Sequence, residues 1–155
     1  MKTALKFAII YVVAAFLWSC VEYFTGLQST RIALHPYFVT PYYLLLTGVI
    51  YYLAVREKRE SEGGKIDFGK ILVFGLMLTG LILVLNLIQF YAFNTFINPD
   101  FYPALARHAV VTTNMPAPEA EQYYSFRNLL IQGSIYRAVM GVVATLITAL
   151  TMKRA

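Results

Sequence analysis

Residues 71–97 read ILVFGLMLTGLILVLNLIQFYAFNTFI, an unbroken run without one Asp, Glu, Lys or Arg. A hydrocarbon core of roughly 30 Å is crossed by about 20 helical residues, so this run is more than long enough. Lipid offers backbone N–H and C=O groups no partner, which leaves the helix as the conformation that satisfies them. The surplus length predicts a helix that tilts or projects past the membrane.

Outward from this run lie three more apolar stretches. Residues 37–55 are closed by Arg56, Lys58 and Arg59; residues 7–24 follow Lys2 and Lys6; residues 129–152 precede Lys153 and Arg154. Of the 155 residues, 59% are hydrophobic and 14% charged, against about a quarter charged in a soluble domain. The expected fold is therefore an all-α integral membrane protein, one membrane domain over residues 1–155. Its four transmembrane helices fall at about 7–24, 37–55, 71–97 and 129–152.

Lys2, Lys6, Arg56, Lys58, Arg59, Lys65, Lys70, Lys153 and Arg154 fall on one side of these spans, and only Arg31, Arg107 and Arg127 on the other. The positive-inside rule then places both termini and the loop 56–70 in the cytoplasm, and the loop 98–128 outside. The net charge of +5 is explained by these flanking residues. With no basic helix and no nucleic-acid motif, a nucleic-acid partner is not expected. Leu17-Trp18-Ser19-Cys20 resembles a lipoprotein cleavage box, but Trp18 is too large for its position and the apolar run continues to Phe24. Cys20 therefore reads as a small packing residue.

Loop chemistry differs from one connection to the next. Gly63-Gly64 among charges predicts a flexible hairpin before the third span. Pro36 suits a helix entry, and Pro41 falls in the first turns of the second span, where it can bend the helix. Asn98-Pro99-Asp100 has the form of a helix start, with an Asn cap, a proline in the first turn and an acid at the positive dipole end. Pro118-Glu119 suggests a second start. Phe101, Tyr102, Tyr123, Tyr124 and Phe126 flank both, which predicts short interfacial helices in the outer loop.

One cysteine excludes an internal disulfide and a cysteine-rich metal site. His35 and His108 lie in separate loops without an HExxH helix, and each reads as a structural histidine near an interface. No serine–histidine–acid set, paired carboxylates in one span or glycine-rich phosphate loop is present. No enzyme activity, cofactor or metal is expected.

Polar groups within the spans are costly, and they are few: Glu22, Asn86, Gln89, Gln132 and Arg137. All five are expected in the outer half of the bilayer. Arg137 lies about nine residues into the fourth span, or roughly 13 Å deep, and its long side chain can extend outward. Gly133, Ser134, Arg137, Gly141, Ala144, Thr145 and Thr148 recur at three- and four-residue intervals, a small-residue stripe of the kind that lets helices approach in lipid. The stripe turns Arg137 towards a bundle or oligomer interface. Asn86 and Gln89 share a face by their i,i+3 spacing. The expectation is that Arg137 pairs with Glu22 while the two amides complete the hydrogen bonds, as a structural lock or as a polar pocket open to the outer face.

Several segments carry a family resemblance: Glu22-Tyr23, GLQSTRIALHP (26–36), REKRE (56–60), GGKIDFGK (63–70), FINPDFY (96–102) and GSIYRAVMGVVATLITALTMKR (133–154). Together they resemble the uncharacterised bacterial membrane proteins grouped as domain of unknown function four-one-nine-nine. The resemblance covers nearly the whole chain. It implies a four-helix protein of the bacterial inner membrane, and neither an activity nor catalytic residues. The function expected from the residues is association in the lipid bilayer, as a homo-oligomer or an accessory subunit among other membrane subunits. The alternative is a small transporter or a lipid- or anion-binding protein.

Overall fold

The computed structural model describes residues 1–152, so Lys153 and Arg154, expected to close the fourth span, lie outside the described residues. Helix α1 covers Lys2–Phe24 and α2 covers His35–Ser61, entered through a 3₁₀ turn at Ile32–Leu34. Helix α3 covers Phe68–Ala92 and runs into a π turn at Phe93–Ile97. The connection that follows holds two shorter helices, α4 (Phe101–Thr113) and α5 (Ala117–Tyr123), before α6 (Phe126–Met152). Among the described residues four helical segments are long and apolar enough to cross a membrane, at 23, 30, 30 and 27 residues.

These segments begin earlier or end later than hydropathy suggests. Helix α2 runs to Ser61 because REKRES is a good helix former, with Arg56–Glu60 and Lys58–Glu62 paired at i,i+4. The expected loop 56–70 shrinks to the few residues between Ser61 and Phe68. Gly63 and Gly64 turn there with φ of +82° and +86°, a conformation glycine adopts without steric cost. Pro36 sits in the first turn of α2, as expected of a helix entry, and Pro41 lies inside the helix.

The four long helices form a ring in which α1 touches α2 and α3, and α6 touches the same two. Thus α1 and α6 occupy diagonal corners. Val73 (70% exposed) and Leu45 (68%) belong to an apolar outer surface that water would not tolerate and lipid would. Near the end that carries the N-terminus, Ala8 and Tyr11 of α1 meet Tyr51 and Ala54 of α2, Phe74 and Leu78 of α3, and Ala149 of α6 in the main core.

Lipid tails are as apolar as these side chains, so close contact and hydrogen bonds, not hydrophobic transfer, hold the helices together. The stripe on α6 serves that contact within the bundle from Gly141 onward, and Gly133, Ser134 and Arg137 stay partly exposed. A Cβ on Gly141 would meet Thr79 Oγ1 and Tyr51 Oη at 2.6 Å, and one on Gly75 would collide with Thr145. Tyr51 Oη and Thr79 Oγ1 are themselves 2.6 Å apart and share a hydrogen. Buried residues on α6 begin only at Gly141 and continue through Thr145, Thr148, Ala149 and Met152. From Phe126 to Met140 none is fully buried, so α6 stands away from its neighbours at the end opposite the N-terminus.

That far end is covered by α4 and α5. Ala106 and Ala109 pack on Ala120, and Asn114 closes α4 in the left-handed conformation at φ 53°. The expected start at Pro118-Glu119 is present as α5, with Pro118 and Glu119 in its first turn. The other start is corrected. Asp100, not Asn98, is the N-cap of α4, and Pro99 precedes the helix. The Asn98 side chain has been drawn elsewhere: its Nδ2 donates to Gln28 Oε1 at 2.7 Å.

Candidate functional site

The five polar residues singled out in the spans do not form one cluster. Glu22, 2% exposed, accepts at Oε2 from Gln28 Nε2 at 3.1 Å. Its Oε1 faces His35 Nε2 at 3.4 Å, an ion-pair distance without hydrogen-bond alignment. Gln28 in turn accepts from Asn98, so one buried chain links the end of α1, the first connection and the junction of α3 with α4. No ion pair joins Glu22 to Arg137 among the described residues, and the expected pairing is thereby corrected. The carboxylate found nearer partners because the 25–34 connection folds back over the end of α1.

Asn86 is buried with Oδ1 unpartnered. Gln89 lines a shallow apolar hollow between α1 and α3, alongside Val12, Phe16 and Ile88. Neither amide hydrogen-bonds to Glu22 or Arg137. At i,i+3 the two side chains stand about 60° apart around the helix axis, so Asn86 turns into the core while Gln89, on the edge of the same face, borders the hollow.

Arg137 and Gln132 do come together. Both line a hollow of about 350 Å³ where α2 and α6 stand apart, bounded also by Phe90 of α3 and by Phe101, Tyr102 and Leu105 of α4. Arg137 Nη1 donates to Gly133 O at 3.1 Å, so the side chain points one turn back towards the far end. Its guanidinium lies 4.9 Å from the centroid of the Tyr43 ring, a cation–π distance. The same charge bears on the hydroxyls of Tyr11 and Tyr43.

Two buried polar atoms at this hollow lack a partner: Arg137 Nε and Tyr102 Oη. Burial pushes the Tyr102 phenol up, with the nearby Arg137 charge pulling the other way. At neutral pH it therefore keeps its proton and can donate it. The arrangement is a cation and a phenol facing an apolar-walled space, with no carboxylate among the described residues paired to the cation. Such a site suits an anion presented by an apolar molecule.

Sequence reasoning identified Arg137 and Gln132 and missed Tyr43, Tyr102, Gln28 and Asn98. No sequence signal joins the tyrosines to Arg137, which lies 94 residues from Tyr43 and 35 from Tyr102. Gln28 sits in a connection, where hydropathy assigns no position, and Asn98 resembled a helix cap.

The fold and site define a small helical protein whose four long helices suit a membrane and carry an arginine with no carboxylate partner among the described residues. The chain belongs to the family described as Protein of unknown function (DUF4199), whose model matches residues 6–154. No curated protein and no solved structure matches it significantly.

Proposed function

We propose that this is a non-enzymatic membrane protein that binds an anionic ligand in the hollow between α2 and α6. One observation carries the proposal: Arg137, within an apolar helix, has no carboxylate partner among the described residues and faces an open space. A charge in that position is expensive unless paired, and a ligand anion completes the pair. The lysine and arginine bias favours termini in the cytoplasm and the hollow in the outer half of a bacterial inner membrane, with α4 and α5 lying at its outer surface.

The test is native mass spectrometry of the detergent-solubilised protein, with Arg137→Gln and Arg137→Lys beside the wild type. The wild type should retain a phosphate-bearing adduct, the Lys variant part of it and the Gln variant none. Equal retention by the wild type and Arg137→Gln would sink the proposal.

Association is the second reading. The buried part of the stripe is engaged inside the bundle, so what favours association is the cleft of about 700 Å³ between α4 and α5, bordered by Val110, Val111 and Tyr124. The same spectra report copy number: a homo-oligomer or a co-purifying subunit supports association, and a bare monomer removes its ground.

A further inference from the structure

We infer that the ligand is a membrane lipid with a phosphate head, held by Arg137 with an acyl chain laid along α2 and α6 past Gly48. This rests on the anion-binding reading above and goes beyond it by naming the ligand class.

A second hollow of about 260 Å³ follows the first along the same two helices, lined by Thr47, Gly48 and Tyr52 of α2 and by Met140, Ala144 and Ile147 of α6. The two hollows share one face of α6. Gly133, Tyr136 and Arg137 line the first, while Met140, Ala144 and Ile147 continue at three- and four-residue steps into the second. From Arg137 to Ile147 is ten residues, or roughly 15 Å of helix axis at 1.5 Å per residue. That is about half of a 30 Å hydrocarbon core, a length an acyl chain can follow once the arginine side chain has extended outward to meet the head.

The chemistry changes along this path. The first hollow offers the Arg137 guanidinium, the Tyr102 phenol and the Gln132 amide; the second is walled almost entirely by apolar atoms and small residues. Gly48 leaves its floor open, since a Cβ built there meets nothing within 4 Å. Met140 adds a side chain that adapts to an irregular chain. A free anion would have to shed its water to enter an apolar-walled space, and it would leave the second hollow unused. A lipid already lies in the bilayer, brings its own charge to the arginine and fills both spaces.

The test uses the full-length protein in detergent, back-titrated with three probes and read by native mass spectrometry. The probes are phosphatidylglycerol, diacylglycerol with the same chains, and inorganic phosphate. Phosphatidylglycerol should be retained in preference to the other two. Gly48→Leu, which enters open space, should weaken its retention by about tenfold, and Gly48→Ala should fall between. The thermal midpoint of each lipid-free variant should equal or exceed that of the wild type, which separates blocked binding from lost folding. Should Gly48→Leu instead unfold, the smaller Gly48→Ala decides. Arg137→Gln should erase the preference for phosphatidylglycerol over diacylglycerol.

If inorganic phosphate binds or competes and the Gly48 variants retain phosphatidylglycerol as the wild type does, the lipid proposal is overturned while anion binding stands. If no probe distinguishes wild type from Arg137→Gln, both fall.

Discussion

Gly75 and Gly80 sit five residues apart on α3 and differ in what surrounds them. A Cβ on Gly75 runs into the β-branched Thr145 of α6, whose stiff χ1 limits how far it can yield; a Cβ on Gly80 meets nothing within 4 Å. Replacing a mid-helix glycine by alanine gains about 1 kcal/mol of helix propensity at either position. At Gly75 the overpacking cost of about 1–3 kcal/mol exceeds that gain. Gly75→Ala should therefore lower the thermal midpoint in detergent, while Gly80→Ala should hold or raise it; equal behaviour would contradict the close α3–α6 packing. The same scale shows what the sequence could and could not disclose. An arginine inside an apolar span is conspicuous, and Arg137 was legible for that reason. The partners of Glu22 were not. Gln28 and Asn98 lie outside the apolar runs, where no periodicity says which helix end a side chain will cover.

At the scale of elements, the long helices were legible because lipid admits few alternatives, whereas their boundaries were set by finer effects. Local ion pairs carry α2 beyond the last apolar residue, and the π turn after Ala92 leaves no mark on hydropathy. Glu62 illustrates how the turn between α2 and α3 is closed. Its carboxylate meets Lys58 Nζ at 2.7 Å and Lys70 Nζ at 3.0 Å, and these partners, Lys58 foremost, hold its pKa below the usual carboxylate range. A lowered folded-state pKa contributes stability above the unfolded value, lost as pH falls through the folded one. The clasp should thus be intact at neutral and mildly acidic pH and open only under stronger acid. A carbon-detected titration of Glu62, with and without Lys58→Gln, checks this: the variant should titrate at higher pH, and an unchanged midpoint would remove the clasp. Because the pair is exposed, its effect is confined to the turn.

Across the whole molecule, close packing is concentrated towards the N-terminal end of the ring, and the opposite end is held by the buried chain Glu22–Gln28–Asn98. Gln28→Leu should leave the Glu22 carboxylate and the Asn98 amide without their partner and cost about 1–3 kcal/mol. A double-mutant cycle with Asn98→Leu should show coupling, because the second change removes a group already orphaned by the first. Strict additivity of the two losses in thermal denaturation would count against the link. The ring order follows from topology that hydropathy alone does not specify. Four apolar helices admit several arrangements, and the glycine–threonine contacts between α3 and α6 favour the observed one.

The chain from Glu22 to Asn98 also bears on the order in which the protein is made. Gln28 is six residues from Glu22 but seventy from Asn98. At about 5–20 residues per second of synthesis, the amide at 98 arrives roughly 4–14 s after Gln28. During that interval the newborn hairpin of α1 and α2 can already supply Glu22 with the Gln28 amide, so the carboxylate need not wait for the rest of the chain to gain a hydrogen bond. The early segments carry a first hydrogen bond for the carboxylate, and the late one fastens a hairpin that has already formed.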